Sequence, residues 1–100
     1  MDIREITSEQ LEQEIENNRY KIIDVREDEE VQQGMIPTAI HIPLGELPER
    51  LDELSKDDEY VLVCRSGARS YNASLFLADQ GYNVINLKGG MLDWKGEKVF

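Results

Sequence analysis

Two kinds of hydrophobic pattern alternate along this chain, namely short apolar runs and segments with the spacing of an amphipathic helix. Residues 20–25 (YKIIDV) and residues 60–64 (YVLVC) are short and rich in apolar, β-branched residues, which is typical of buried strands. Weaker strands are predicted at residues 3–6, 39–44 and 84–87. Five strands are therefore expected.

Helical signals separate these strands. Leu11 and Ile15 lie four residues apart, and Thr7 with Gln10 forms a capping box just before them. The strongest helix is predicted at residues 68–80, with Gly81 as its C-terminal cap. Tyr71, Leu75 and Ala78 are expected to lie along one face of this helix. Further helical segments are predicted at residues 26–33, along the stripe of Leu47, Leu51 and Leu54, and after Gly89-Gly90 through Trp94, which is expected to pack on the core.

The regular alternation of strands and helices indicates the fold class. Crossover connections of this kind produce an α/β domain with a central, mainly parallel sheet and helices on both faces. A chain of 100 residues has the size of one domain, so residues 1–100 are predicted to form a single domain. Ligands of such sheets bind beyond the carboxyl ends of the strands. Cys64 lies at that end of the most apolar strand.

The amino-acid composition indicates which classes of binding partner and which cellular compartment to expect. The chain has 21 acidic and 11 basic side chains, a formal net charge of -10, which repels nucleic acid and anionic membranes. The N-terminal residues 1–5 (MDIRE) have neither the basic nor the apolar region of a signal peptide, and no apolar run is long enough to span a membrane. The single cysteine excludes an internal disulfide, which favours a reducing, cytoplasmic location.

The loop of residues 64–69 (CRSGAR) joins the most apolar strand to the strongest helix. A lone cysteine is more often a small buried hydrophobe than a nucleophile. Here, however, cationic residues follow it, Ser66-Gly67 permits a tight curl of the backbone, and the loop enters a helix N-terminus that favours an anion. These features predict a lowered pKa for the Cys64 thiol. Arg65 and Arg69 would then bind the anionic part of a substrate.

This loop, together with the stretches IIDVREDEE, IPTAIHIPL and NLKGGMLDW, resembles the rhodanese homology domain in its single-domain form, over residues 22–94. The resemblance implies a three-layer domain with a mainly parallel five-stranded sheet. It also implies a sulfurtransferase whose cysteine takes a sulfane sulfur from a donor such as thiosulfate or a persulfide. The cysteine then passes this sulfur to a thiol, to cyanide or to an acceptor protein. No cofactor and no metal is implied.

The same resemblance assigns roles to individual residues. Cys64 is the expected catalytic nucleophile, and Asp24 and Arg26 of the DVR motif are expected to support the site, as is Ser70. Arg26 and Glu30 are expected to form an ion pair along a helix. The residues expected to bind the substrate are Arg65, Ser66, Gly67, Ala68 and Arg69.

Three alternatives remain open at this point. Phosphatases and arsenate reductases of related fold hold their anion in a longer Cys-x5-Arg loop, whereas Cys64 and Arg69 have the spacing Cys-x4-Arg. A rhodanese-like domain can also serve as a non-catalytic binding or regulatory module. The third alternative is a sulfur carrier that delivers sulfur to one protein partner and barely uses cyanide. His41, the only histidine, could assist the cysteine, but we interpret it as an ordinary strand residue. One cysteine and one histidine are too few for a zinc site without several carboxylates.

Overall fold

The computed structural model describes residues 2–100, and Met1, the first residue of the single domain expected from the sequence, lies outside them. Within these residues a sheet of five strands has the order β1-β5-β4-β2-β3, and every pairing between its strands is parallel. The strands are β1 (Glu5–Ile6), β2 (Lys21–Asp24), β3 (Ile40–His41), β4 (Glu59–Val63) and β5 (Asn83–Leu87). Because β4 is the central strand, the residue that follows it lies in the middle of the sheet's carboxyl edge.

Helical segments connect these strands. They are α1 (Ser8–Ile15), α2 (Asp28–Val31), a 3₁₀-helical segment (Leu44–Glu53), α3 (Ala68–Asp79) and α4 (Gly90–Asp93). The capping box at the start of α1 is confirmed. The Gln10 amide donates to the Thr7 hydroxyl at 3.2 Å, and the Thr7 amide donates to the Gln10 side-chain oxygen at 3.0 Å.

Two hydrophobic cores lie on opposite faces of the sheet. Val61 and Val63 of β4 belong to the core that contains Leu11 of α1 and Met91 of α4. The alternate residues Tyr60 and Leu62 belong to the core that contains Leu77 of α3. Trp94 is buried in the first core, as expected. The predicted three-layer α/β architecture is thereby confirmed.

Several elements differ in extent from their predictions. Strand β3 is only two residues long because it lies at the edge of the sheet and Pro43, which has no N–H donor, follows shortly after it. Helix α2 is shorter than residues 26–33 because Glu27 is still extended and the Arg26 amide is bonded to the Asp24 carboxylate. The leucine stripe forms a 3₁₀-helical segment with a kink at Arg50 rather than a regular α-helix.

The face of α3 that carries the predicted apolar stripe is not the face that is fully buried. Tyr71, Leu75 and Ala78 are only half-buried, and the residues fully buried on this helix are Ser70, Ala73, Ser74 and Leu77. A hydrophobic pattern cannot reveal this face because two of its four members are serines. Their burial is tolerated because they are hydrogen-bonded; the Ser74 hydroxyl, for example, donates to the Ser70 carbonyl oxygen at 2.8 Å.

No helix within residues 2–100 combines the length and the apolar character needed to cross a bilayer.

Candidate functional site

The loop after β4 is held by the segment that follows β5. The Met91 amide donates to the Cys64 carbonyl oxygen and the Leu92 amide to the Arg65 carbonyl oxygen, both at 2.9 Å. Gly90 permits this approach, since a Cβ atom there would lie 2.5 Å from the Cys64 carbonyl oxygen. Gly90 therefore allows the segment after β5 to anchor the start of the loop.

The loop curls at Gly67, where the backbone has a φ of 105°, a conformation that favours glycine. The curl returns the Gly67 amide to the Cys64 sulfur, and its N–H donates to Sγ at 3.0 Å. The Ser70 hydroxyl lies 3.3 Å from the same sulfur. Cys64 is 1% exposed, so these contacts form in a largely dry environment.

The ionisation of the Cys64 thiol reflects a competition. Burial is the largest single influence, and it raises the pKa of the thiol. Hydrogen bonds from the Ser70 side chain and from the amides of Ser70, Gly67 and Ser66 lower the pKa, and their combined effect exceeds that of burial. The net pKa is below that of an ordinary thiol, which agrees with the direction predicted from the sequence. A cysteine with such donors ionises to the thiolate more readily than a buried cysteine without them.

Behind the thiol lies a buried polar network. The Ser70 hydroxyl contacts the Asn86 side-chain oxygen at 2.5 Å, and the Asn86 side-chain nitrogen donates to the Gly67 carbonyl oxygen at 3.1 Å and to the Glu5 carboxylate at 2.9 Å. Asn86 is 1% exposed. Sequence analysis missed Asn86 and Glu5, although a polar residue within the apolar strand VINL is a signal for a buried hydrogen-bonding role.

Arg69 is bound by a carboxylate from α2. Its two terminal nitrogens donate to the two oxygens of Glu30, each at 2.7 Å. The Arg69 guanidinium lowers the Glu30 pKa to about 2, and Glu30 in turn raises the pKa of Arg69. Arg69 is therefore held in a defined position at the entrance of α3.

The expected ion pair between Arg26 and Glu30 is wrong. The Arg26 guanidinium instead forms a buried pair with the Asp24 carboxylate, with Nη2 to Oδ2 at 2.8 Å and Nε to Oδ1 at 3.0 Å. Arg26 also donates to the carbonyl oxygens of Glu30 and Gly34, at 3.2 Å and 2.8 Å. The Asp24 carboxylate pairs with Arg26 because both are buried together. The Glu30 carboxylate is therefore free to pair with Arg69.

A cavity of about 310 Å³ lies beside the loop. Arg65, Met91, Leu92 and Lys98 contribute to its walls, opposite residues of the α2 region that include Gly34. Neither Arg65 nor Lys98 forms an ion pair with any residue between 2 and 100. The cavity is thus lined both by cationic side chains without an ion-pair partner in the described part of the chain and by apolar side chains.

The other residues predicted for the site have distinct positions. Ser66 and Ala68 are exposed on the loop. His41 lies in β3, and its Nε2 donates to the Arg26 carbonyl oxygen at 2.6 Å. That contact places the ring on the backbone of the DVR motif rather than on Cys64. Within residues 2–100, no three His, Cys, Asp or Glu residues are grouped so that they could hold a metal ion.

Comparison with known proteins identifies relatives over nearly the whole chain. A family model described as a rhodanese-like domain matches residues 7–97. The Bacillus subtilis protein YtwF, whose name proposes sulfurtransferase activity, is 50% identical over 98 residues, which cover 97% of this chain and 95% of YtwF. A protein of Allochromatium vinosum named sulfurtransferase is 44% identical over 94 residues, covering 92% of this chain and 88% of its own.

A solved structure shows the same fold. The protein SSP1007 from Staphylococcus saprophyticus superposes with a TM-score of 0.93 at 31% identity, covering 98% of this chain and 100% of its own.

Proposed function

The chain belongs to the rhodanese-like domain family, and on that premise we propose that it is a sulfurtransferase in which Cys64 carries the transferred sulfur as a persulfide. The observation that carries this proposal is the hydrogen bond of 3.0 Å from the Gly67 amide to the sulfur of the chain's single cysteine. A structural cysteine has no need of such donors, whereas a nucleophile does.

In the first half of the cycle, the Cys64 thiolate attacks the outer sulfur of thiosulfate. A bond forms between the Cys64 sulfur and that outer sulfur, the bond between the two thiosulfate sulfurs breaks, and sulfite leaves with the electron pair. The product is a Cys64 persulfide, whose terminal sulfur is anionic. The amides of Ser66, Gly67 and Ser70, which stabilise the thiolate, can also donate to this second anion.

In the second half of the cycle, a thiolate or cyanide attacks the terminal sulfur of the persulfide. The new bond forms to that sulfur, and Cys64 leaves as the thiolate with which the cycle began. No electrons are gained or lost overall, so the reaction requires no redox cofactor. The order of events is ping-pong because the first product leaves before the acceptor reacts.

The donor class follows from the burial and charge of the site. Because Cys64 is 1% exposed, its partner must present the reacting sulfur at the end of a narrow group, as thiosulfate and persulfides do. Arg69 at the start of α3 and Arg65 at the adjacent cavity supply positive charge for the rest of the anion. We assign Ser66 and Ala68 to the surface that the donor meets first.

The acceptor is a thiol or cyanide, and an acceptor protein is compatible with the exposed rim of the loop. A thiolate nucleophile must stay reduced between turnovers, which favours the cytoplasm as the compartment. We propose neither nucleic acid nor a membrane as partner, since the formal net charge of -10 repels both.

Intact-protein mass spectrometry tests this proposal. Wild type and Cys64→Ser are each incubated with thiosulfate, desalted, and then treated with cyanide or buffer. We expect wild type to gain the mass of one sulfur atom, to lose it with cyanide, and to release thiocyanate. The Cys64→Ser variant should fold with the same circular dichroism spectrum and gain nothing.

Two outcomes would redirect the assignment. A gain of sulfur in Cys64→Ser would overturn the role of Cys64. A wild-type protein that gains no sulfur from thiosulfate, or from a low-molecular-weight persulfide used as a second donor, would favour the binding module. Phosphatase and arsenate reductase assays would then follow on the same samples.

A further inference from the structure

The Ser70 hydroxyl faces three atoms that can each accept a hydrogen bond. The Asn86 side-chain oxygen lies at 2.5 Å, and the Cys64 sulfur and the Gly67 carbonyl oxygen both lie at 3.3 Å. A serine hydroxyl has one hydrogen, so it can donate fully to only one of them. The acceptors therefore compete for a single proton beside the nucleophile.

The orientation of the Asn86 amide decides this competition. The amide nitrogen faces the Gly67 carbonyl oxygen at 3.1 Å and the Glu5 carboxylate at 2.9 Å, and both of these groups only accept. Turning the amide over would place its oxygen against two other oxygens. The Asn86 oxygen must consequently face Ser70, and a contact of 2.5 Å between two oxygens is favourable only if the Ser70 hydrogen lies between them.

We propose that Asn86, oriented by Glu5, is a positioning residue that draws the Ser70 hydroxyl hydrogen away from the Cys64 sulfur in the resting protein. In this state a lone pair of Ser70 faces Sγ, which suits a protonated thiol that donates to Ser70. When the thiolate forms, Ser70 must turn its hydrogen to the sulfur and release Asn86. Asn86 thus limits how readily the resting thiol ionises.

The inference rests on the proposed role of Cys64 but concerns only its ionisation. Among charged groups, Arg69 of α3 acts directly on the thiol, whereas Glu5 of β1 reaches it only through Asn86. Asp24 of the neighbouring strand β2 is paired with Arg26 and lies on the other face of the sheet from Ile23, which shares a core with Cys64. Replacing Asn86 therefore does not alter the charged side chains that act on the thiol directly.

The test is the rate of Cys64 alkylation by iodoacetamide as a function of pH, measured on the full chain without any sulfur donor. Asn86→Ala frees the Ser70 hydrogen, and we expect the midpoint of the profile to fall by about one to two pH units, the effect of one hydrogen bond to a charged group. The Gly67 carbonyl oxygen keeps a donor in this variant, because the Tyr71 amide also donates to it at 3.1 Å.

Ser70→Ala should raise the midpoint, and Asn86→Ala combined with Ser70→Ala should match Ser70→Ala alone. A midpoint that does not fall in Asn86→Ala would overturn the inference. So would a fall that persists in the Ser70→Ala background, because Asn86 would then act without Ser70. Sulfur loading of wild type by thiosulfate is measured separately. The alkylation profile does not depend on sulfur transfer, so it tests the role of Asn86 even if no sulfur is transferred.

A second pair of variants decides the matter if Asn86→Ala does not fold. Glu5 is exposed, so its replacement does not disturb a core. Glu5→Gln keeps an oxygen that accepts from Asn86 and should leave the midpoint near that of wild type, whereas Glu5→Ala should lower it. Both variants remove the same charge, so equal midpoints in the two would contradict the role of Glu5 in orienting Asn86.

Discussion

The Glu30 carboxylate binds the Arg69 guanidinium through two parallel hydrogen bonds of 2.7 Å, although the two residues are 39 positions apart. The pair joins α2 to the first turn of α3, immediately after the loop that carries Cys64. The Arg69 and Glu30 side chains are 38% and 26% exposed. Arg69 is thus positioned and still accessible to an anion.

The first prediction concerns donor binding. Arg69→Ala should raise the KM for thiosulfate about tenfold and leave kcat within about twofold, because the charge-assisted contact acts mainly on binding. Steady-state thiocyanate formation measures both constants. The matched control is Arg50→Ala, since Arg50 pairs with Glu46 and Glu53 on the 3₁₀-helical segment. An unchanged KM in Arg69→Ala would remove Arg69 from the donor site.

The second prediction concerns pH and the Glu30–Arg69 pair. Arg69 depresses the Glu30 pKa from 4.5 to about 2, so the pair stabilises the folded state fully above pH 4.5, and the contribution is lost as the pH falls towards 2. Because both groups are partly exposed, Glu30→Gln should lower the free energy of unfolding at pH 7 by only about 0.5 to 1 kcal/mol.

Urea unfolding of wild type and Glu30→Gln at a series of pH values measures this difference. The gap between the two proteins should narrow steadily below pH 4.5. Glu12→Gln, at an exposed position of α1, serves as the control and should show no such gap. A gap that stayed constant down to the lowest pH would show that the ion pair does not cause it.

The third prediction concerns the buried pair of Asp24 and Arg26, whose side chains are 1% and 6% exposed. Arg26→Ala leaves the Asp24 carboxylate buried without its partner, which should cost about 3 to 5 kcal/mol in the free energy of unfolding. Arg50→Ala breaks only exposed pairs and should cost less than about 1 kcal/mol. Urea midpoints compare the two variants, and equal costs would contradict the argument from burial.

The fourth prediction concerns the curl of the loop. Gly67→Ala forces a side chain into a backbone with φ of 105° and places its Cβ 3.3 Å from the Gly89 amide nitrogen, which should cost about 1 to 2 kcal/mol. Sulfur loading should fall as well, because the Gly67 amide is displaced from the Cys64 sulfur. In Gly45→Ala the new Cβ meets nothing within 4 Å, so this control should keep both properties. Full sulfur loading in Gly67→Ala would refute the role of the curl.

Local sequence was sufficient to predict the order of the elements and the place of Cys64 in the fold. The order of strands and helices, the capping box of Thr7 and Gln10, and the position of Cys64 after the most apolar strand all depend on residues close together in the chain. Such features follow from periodicity and backbone geometry, which a few neighbouring residues determine. The resemblance to the rhodanese domain likewise rests on short contiguous motifs.

Tertiary structure alone decided which polar groups pair with one another. Glu30 is four positions from Arg26, yet its carboxylate binds Arg69, because Asp24 and Arg26 are buried together and satisfy each other. Asn86 meets Ser70 only because β5 and α3 pack side by side. Hydrogen bonds and ion pairs act over a few ångströms whatever the separation in sequence, so these partners are determined by packing and cannot be read from spacing along the chain.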